Sequence, residues 1–187
     1  MKDIDIKSIC NNIEKELKKI NNISFDSESD KDLYIQEMTN WIKEIIIKNQ
    51  IIKVNPKKEE VNRVRQNVYW IDFGFNIGTE FNFPHFCVVI KEFNKTAIVV
   101  PISSDKNDDS EYKTAKNLYI PIGKIDGFPE EKRDCYAVIS QIRTVSKQRL
   151  SDYKYKGKFI KLHLNADQMK LVFEGIKSLS EQKIKEI

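Results

Sequence analysis

The sequence predicts an α+β fold: a small antiparallel β-barrel or strongly bent sheet, preceded by a helical hairpin and closed by a C-terminal helix. Three observations predict it. Apolar residues recur at spacings of three and four through the first fifty residues. Short runs rich in Val, Ile and aromatics then follow one another with turn-like clusters between them. A capped amphipathic stretch ends the chain. Strands that succeed one another without intervening helices favour antiparallel pairing.

The elements follow in order. Ile6, Ile9, Ile13, Leu17 and Ile20 fall on one face of a helix. The polar stretch 21–30, NNISFDSESD, breaks it, and Ser29 or Asp30 is placed to cap the next helix. Leu33, Met38, Trp41, Ile42 and Ile45 form a second stripe ending near Lys48, Asn49 and Gln50. Two stripes joined by a short loop predict a helical hairpin. Pro56 lies in a charge-dense connection, Val54 to Asn67. The chain therefore divides into a helical extension and linker over 1–60 and a barrel domain over 61–187. The predicted strands are VYWIDF, HFCVVIKEF, TAIVVPI, NLYIPI, CYAVISQIRTV and KFIKLHL. Ser103 to Asn117 is long and polar and predicts a mobile loop. Asn165 with Gln168 three residues on forms a capping box, opening a helix whose apolar face is Met169, Val172, Phe173, Ile176 and Leu179.

Bulk composition narrows the class. A chain of 187 residues with 40% apolar and 32% charged residues is the size of one domain with an extension, and reads as an ordinary soluble globular protein. The longest apolar runs fall far short of the ~20 residues of a membrane span. No secretory signal is visible in MKDIDIKSIC, so a cytoplasmic location is expected. Cys10, Cys87 and Cys135 are odd in number and lack CxxC spacing, which predicts reduced thiols. His85 and His163 are the two histidines, too few and too far apart to suggest a zinc site; no metal or cofactor is expected. Residues 1–60 carry 11 Lys against 12 acids, and the rest 21 Lys or Arg against 16 acids. A balance of −1 beside one of +5 is compatible with a polyanionic ligand for the second unit.

The richest segment is VYWIDFGFNIGTEFNFPHFCVVI, Val68 to Ile90, answered by SQIRTVSKQRL, Ser140 to Leu150. An aromatic strand enters a Gly-containing loop with Glu80, and His85 opens the next strand. Tyr69-Trp70-Ile71-Asp72-Phe73, Gly78-Thr79-Glu80, Cys87-Val88-Val89-Ile90, Thr96 to Ser103 and Gln141 to Leu150 together resemble, in order and spacing, the PemK/MazF family of toxins. The resemblance covers about Val64 to Ile184. It implies an SH3-like barrel with a packed C-terminal helix, a homodimer, and a metal-independent endoribonuclease that cleaves single-stranded RNA and is neutralised by a cognate antitoxin. The chain also departs from the family: His85-Phe86 stands where the catalytic Arg-Pro pair would be, Ser103 stands for the catalytic Thr, and Ser140 replaces an acidic residue before Gln141.

Metal-free RNA cleavage needs a group to take the ribose 2′-hydroxyl proton, one to protonate the leaving 5′-oxygen, and donors for the crowded phosphorane charge. An imidazole exchanges protons near neutral pH. His85 is therefore the expected general base or acid, with Ser103 and Arg143 as anion stabilisers. Thr79, Glu80, Asn82, Gln141 and Lys147 are the expected substrate-binding residues, with Phe75, Phe81 and Phe83 beside them as stacking surfaces for splayed bases. Each has a plainer reading. His85 serves equally as a structural strand residue, Ser103 as a turn former, Glu80 as a loop carboxylate, and Arg143 as a fork holding a loop or a dimer partner. Lys147 and Arg149 read as solvated charges, the three phenylalanines as rings that close the barrel or a dimer seam, and Tyr69 and Trp70 as core. A second class of function is a catalytically inactive module on the same barrel, either an RNA binder or a CcdB-like poison of a protein target. The N-terminal hairpin extends the fold, mediates association, or inhibits the site from within.

Overall fold

The computed structural model describes residues 5–17, 19, 28–59, 63, 65–77, 80–104, 119–129 and 133–181. Helix α1 spans Ile6–Leu17 and α2 spans Glu28–Val54; they pack together, burying Cys10 and Ile35. Ser29 and Asp30 lie inside the first turn of α2 rather than ahead of it, and the break expected over 21–30 lies mostly outside the described residues. The helix also outruns its expected end near Gln50, because Ile51 to Val54 stay helical until Pro56 disfavours helical backbone at Asn55.

Nine strands follow among the described residues: β1 Asn67–Asp72, β2 Pro84–Glu92, β3 Thr96–Ser104, β4 Tyr119–Gly123, β5 Cys135–Val138, β6 Arg143–Ser146, β7 Tyr153–Tyr155, β8 Lys158–Ile160 and β9 Leu162–His163. Seven of them form one antiparallel sheet in the order β4-β5-β3-β2-β1-β9, with β6 also paired to β3. The sheet curls as a half-barrel, the architecture implied by the family resemblance. β5 pairs with the end of β3 and β6 with its start, so one predicted strand, CYAVISQIRTV, is folded at a 3₁₀ turn over Ile139–Gln141. KFIKLHL is likewise divided into β8 and β9, and β8 pairs with β7 in a separate hairpin. Of the loop expected over Ser103 to Asn117, Ser103 and Ser104 instead continue β3, and 105–117 lies outside the described residues.

Alternation along the strands makes two apolar layers. Val68, Val88, Val100, Ile102, Ala137 and Ile139 face one side, where helix α3 (Ala166–Ser180) covers them with Met169 and Val172. The expected capping box is present, and Gln168 also donates through Nε2 to the carbonyls of Ile122 and Lys124, each at 2.8 Å. Tyr69, Ile71, Phe73, Cys87, Val89, Ala97, Val99, Val145 and Leu150 face the other side. The three cysteines are buried and none is in a disulfide.

A bulge between Val89 and Lys91 changes which way the end of β2 faces. Beyond it Glu92 pairs with Ala97, which pairs with Val145, so Glu92 lies on the second layer's side. There it meets Lys147 Nζ at 2.7 Å and accepts from the Arg63 backbone N–H at 3.0 Å. The Lys147 side chain is only 3% exposed. Arg63 closes the cluster, donating to the carbonyls of Lys147 and Leu150 and lying 5.3 Å over the Tyr69 ring.

The helical hairpin is fastened to the loop between β1 and β2. Tyr34 and Trp41 of α2 pack on Phe75 at 5.1 and 5.9 Å between ring centroids, and Tyr34 also packs on Phe83. Gly74 makes this approach possible: its φ is +82°, and a Cβ there would lie 2.5 Å from Trp41 Cε2. Gly74→Ala is expected to lower stability by about 1–3 kcal/mol, from left-handed strain and displacement of the indole. Urea unfolding checks it, and an unchanged midpoint would refute the contact.

Candidate functional site

β2 carries His85 opposite Ile71 of β1, two positions before the fully buried Cys87 and on the same face. Ser103 follows Ile102 on β3 as His85 precedes Phe86 on β2. Phe86 and Ile102 are partners, so His85 and Ser103 also share a face, and Ser103 pairs onward with Tyr136 of β5. The Ser103 hydroxyl is 3.5 Å from the Ser104 carbonyl, a weak local bond.

Arg143 starts β6, paired with Val99, whose side chain lies in the same layer. That pairing is four residues from Ser103 along β3, yet the guanidinium lies 5.0 Å from the centroid of the Phe73 ring. His85 is 6.4 Å from that ring and 4.6 Å, edge-on, from Phe81, which in turn packs on Phe73 at 5.9 Å. The imidazole and the guanidinium thus converge on one aromatic patch at the root of the β1–β2 loop.

Gln141 fixes that convergence. Placed by the 3₁₀ turn, its Oε1 accepts from Arg143 Nη2 at 3.1 Å and from the Phe81 backbone N–H at 3.3 Å. One side chain therefore ties the guanidinium to the loop. Asn82 Oδ1 accepts from the Asn76 backbone N–H, while Asn76 Nδ2 donates to the carbonyls of Phe73 and Phe81 at 3.1 and 2.7 Å. These bonds close the loop on itself, and Glu80 stands exposed on it. Thr79 lies outside the described residues.

The phenylalanines of the loop are packed inward: Phe81 on the barrel side, Phe75 and Phe83 on α2 and on each other at 5.0 Å. An apolar cavity of about 470 Å³, lined by Asp30, Leu33, Tyr34, Glu37, Phe83 and Pro84, opens between α2 and the strand that begins at His85's neighbour. This junction was not legible in the sequence, where the hairpin has no feature that points to the loop.

Lys147 and Arg149 depart from the expectation of solvated charges. Lys147 is buried against Glu92, and hydrogen bonding to that ammonium holds the Glu92 carboxyl below its ordinary range. It reaches a phosphate only by leaving Glu92. Arg149 is half-buried and donates through Nη2 to the Asp72 carbonyl. Burial lowers its pKa, and Asp72 and Glu44 oppose that shift. Burial likewise raises the Asp72 carboxyl, against the hydrogen bond it accepts from Gly74 N–H at 2.7 Å. Arg149, Asp72 and Gly74 thus brace the mouth of the loop. Strand alternation does carry a signal for Lys147: it stands two residues after the core residue Val145.

Among the described residues, no three His, Cys, Asp or Glu side chains gather as a metal site, and no helix is long and apolar enough to cross a membrane. A family model described as PemK-like, MazF-like toxin of type II toxin-antitoxin system matches residues 64–180, well over half of the chain. No curated protein matches it.

Proposed function

The chain belongs to the PemK-like, MazF-like toxins of type II toxin-antitoxin systems, and on that premise we propose that it cuts single-stranded RNA without a metal. The observation that carries this reading is the meeting of His85 and Arg143 at the Phe73–Phe81 patch beside a tethered polar loop. A proton-transferring group and a fixed cation held near one another are what phosphodiester transesterification requires.

In the proposed reaction His85 acts at one of the two proton positions. As base it takes the 2′-hydroxyl proton while the 2′-oxygen forms a bond to the adjacent phosphorus, and solvent water protonates the departing 5′-oxygen; as acid it protonates the 5′-oxygen itself, and water accepts the 2′-hydroxyl proton. The P–O5′ bond breaks, leaving a 2′,3′-cyclic phosphate and a free 5′-hydroxyl. Arg143 offsets charge on the non-bridging oxygens, and Ser103 donates its hydroxyl to one of them. Gln141 acts through Arg143 as a positioning residue, and Glu80 and Asn82 contact the flanking nucleotides. The action is restrained by a cognate antitoxin, and the working form is a homodimer in the cytoplasm.

Purified chain incubated with a long RNA in EDTA tests the proposal. Fragments ending in a cyclic phosphate are expected. Intact RNA with a shift in mobility would replace the enzyme by a binding module on the same barrel.

A further inference from the structure

The hairpin of β7 and β8 stands apart from the main sheet and presents a surface that folding does not explain. From Tyr153 to Lys161 it carries Lys154, Lys156, Lys158 and Lys161 and no acid. Among the described residues none of the four pairs with a carboxylate. Lys154 is paired across the hairpin with Phe159 and lies 5.7 Å over its ring, which is 71% exposed. Tyr155 is 42% exposed, with the Lys156 ammonium 5.2 Å above it. What singles out Phe159 is its combination with the lysines: a ring left in water beside ammonium groups is the mixture of aromatic and basic groups that single-stranded nucleic acid contacts.

The turn adds a second sign. Lys156 and Gly157 have φ of +46° and +82°, so a lysine occupies a left-handed position that Asn, Asp or Gly adopts with less strain. The arm is nevertheless held firmly. Tyr153 packs on Trp70 and Phe86 at 5.6 and 4.9 Å, and Tyr155 stacks on Tyr153 at 6.5 Å. Phe86 is His85's neighbour with its side chain on the opposite face, so the hairpin is rooted one residue from the candidate site.

We propose that this hairpin is a second contact for single-stranded nucleic acid, holding a stretch of RNA away from the His85 and Arg143 site. Lysines against phosphates supply charge complementarity, and Phe159 beside Lys154 on one face of the hairpin, with Tyr155 beside Lys158 on the other, supplies rings on which any base can stack. The contact is sequence-tolerant, so it raises affinity for long strands without choosing the bond to be cut. This inference rests on the part of the proposed function that has the chain engage single-stranded RNA.

The test uses a labelled 2′-O-methyl oligouridine, whose blocked 2′-oxygen prevents cleavage. Its anisotropy on titration with the full chain is followed at several salt concentrations. Phe159→Ala is expected to weaken binding about ten-fold. Lys154→Gln with Lys158→Gln is expected to flatten the slope of log affinity against log salt by about 0.7 per lysine. Cutting of a short RNA by the same variants should be unchanged. Affinity and slope equal to wild type would overturn the proposal, as would loss of a dimer in light scattering with RNA affinity intact. If the wild type cuts nothing but binds through the hairpin, the cleavage reading fails and this one stands. If it cuts and binding ignores the hairpin, this one fails alone.

Discussion

His85→Gln is expected to slow RNA cleavage by about 10²–10⁴-fold while leaving RNA affinity close to wild type. The amide fills much of the space of the imidazole between Phe81 and Phe73 and still hydrogen-bonds, so the patch stays packed. What it lacks is a proton to exchange at neutral pH. The loss should fall on kcat rather than KM, because the interaction is made with the transferring proton and not with bound RNA in general. Single-turnover kinetics separate the two. An equal rise in KM with kcat unchanged would assign His85 to binding, and no change at all would make it a structural strand residue. Arg143→Lys is the informative companion: it keeps the charge but loses the planar fork over Phe73 and the bond to Gln141.

Glu92→Gln is expected to produce the largest stability loss on the second layer, about 3 kcal/mol, because it leaves the Lys147 ammonium buried with no counter-charge. For a chain of this size that lowers Tm by roughly 6–12 °C. Lys147→Met should cost far less, since the Glu92 side chain is 30% exposed and can be hydrated once its partner is gone. The pH dependence has a definite sign. The folded-state pKa of Glu92 is depressed below its ordinary 4.5, so its contribution is present above that value and is lost as pH falls through the lower, folded value. The gap between wild type and Glu92→Gln should therefore close in acid and stay constant near neutrality. Thermal melts across that range decide it. Cleavage retained by Lys147→Met would limit Lys147 to holding the fold, whereas cleavage lost at unchanged stability would return it to the substrate.

The contrast between these two sites shows what a sequence carries. The α3 cap was legible because Asn165 and Gln168 signal it locally, and β1, β2 and β3 because buried residues alternate or run together. His85 on a strand start was legible for the same reason. The Glu92–Lys147 pair was not, because it depends on a bulge at Val89–Lys91 that rotates the end of β2, and bulges leave little trace in composition. The fold at Ile139–Gln141 was hidden inside an unbroken apolar run, although it is what lets Gln141 reach both Arg143 and the loop. β7 was missed because Tyr-Lys-Tyr is too short and too basic to read as a strand. The packing of Trp41 and Tyr34 on the loop is a purely tertiary event, permitted by the absence of a side chain at Gly74.

The helical hairpin grips the loop through Phe75 and Phe83, and Glu44 and Lys48 of α2 reach the electrostatic surroundings of Asp72. Any role of the hairpin in restraint would therefore act on the loop that carries Glu80 and Asn82.

The pH profile of the cleavage rate for wild type and His85→Arg reaches the core of this account. An imidazole doing the proton transfer predicts a titration between pH 5 and 8 in the wild type, absent when a permanently charged guanidinium takes its place. Superimposable profiles for the two proteins would contradict it.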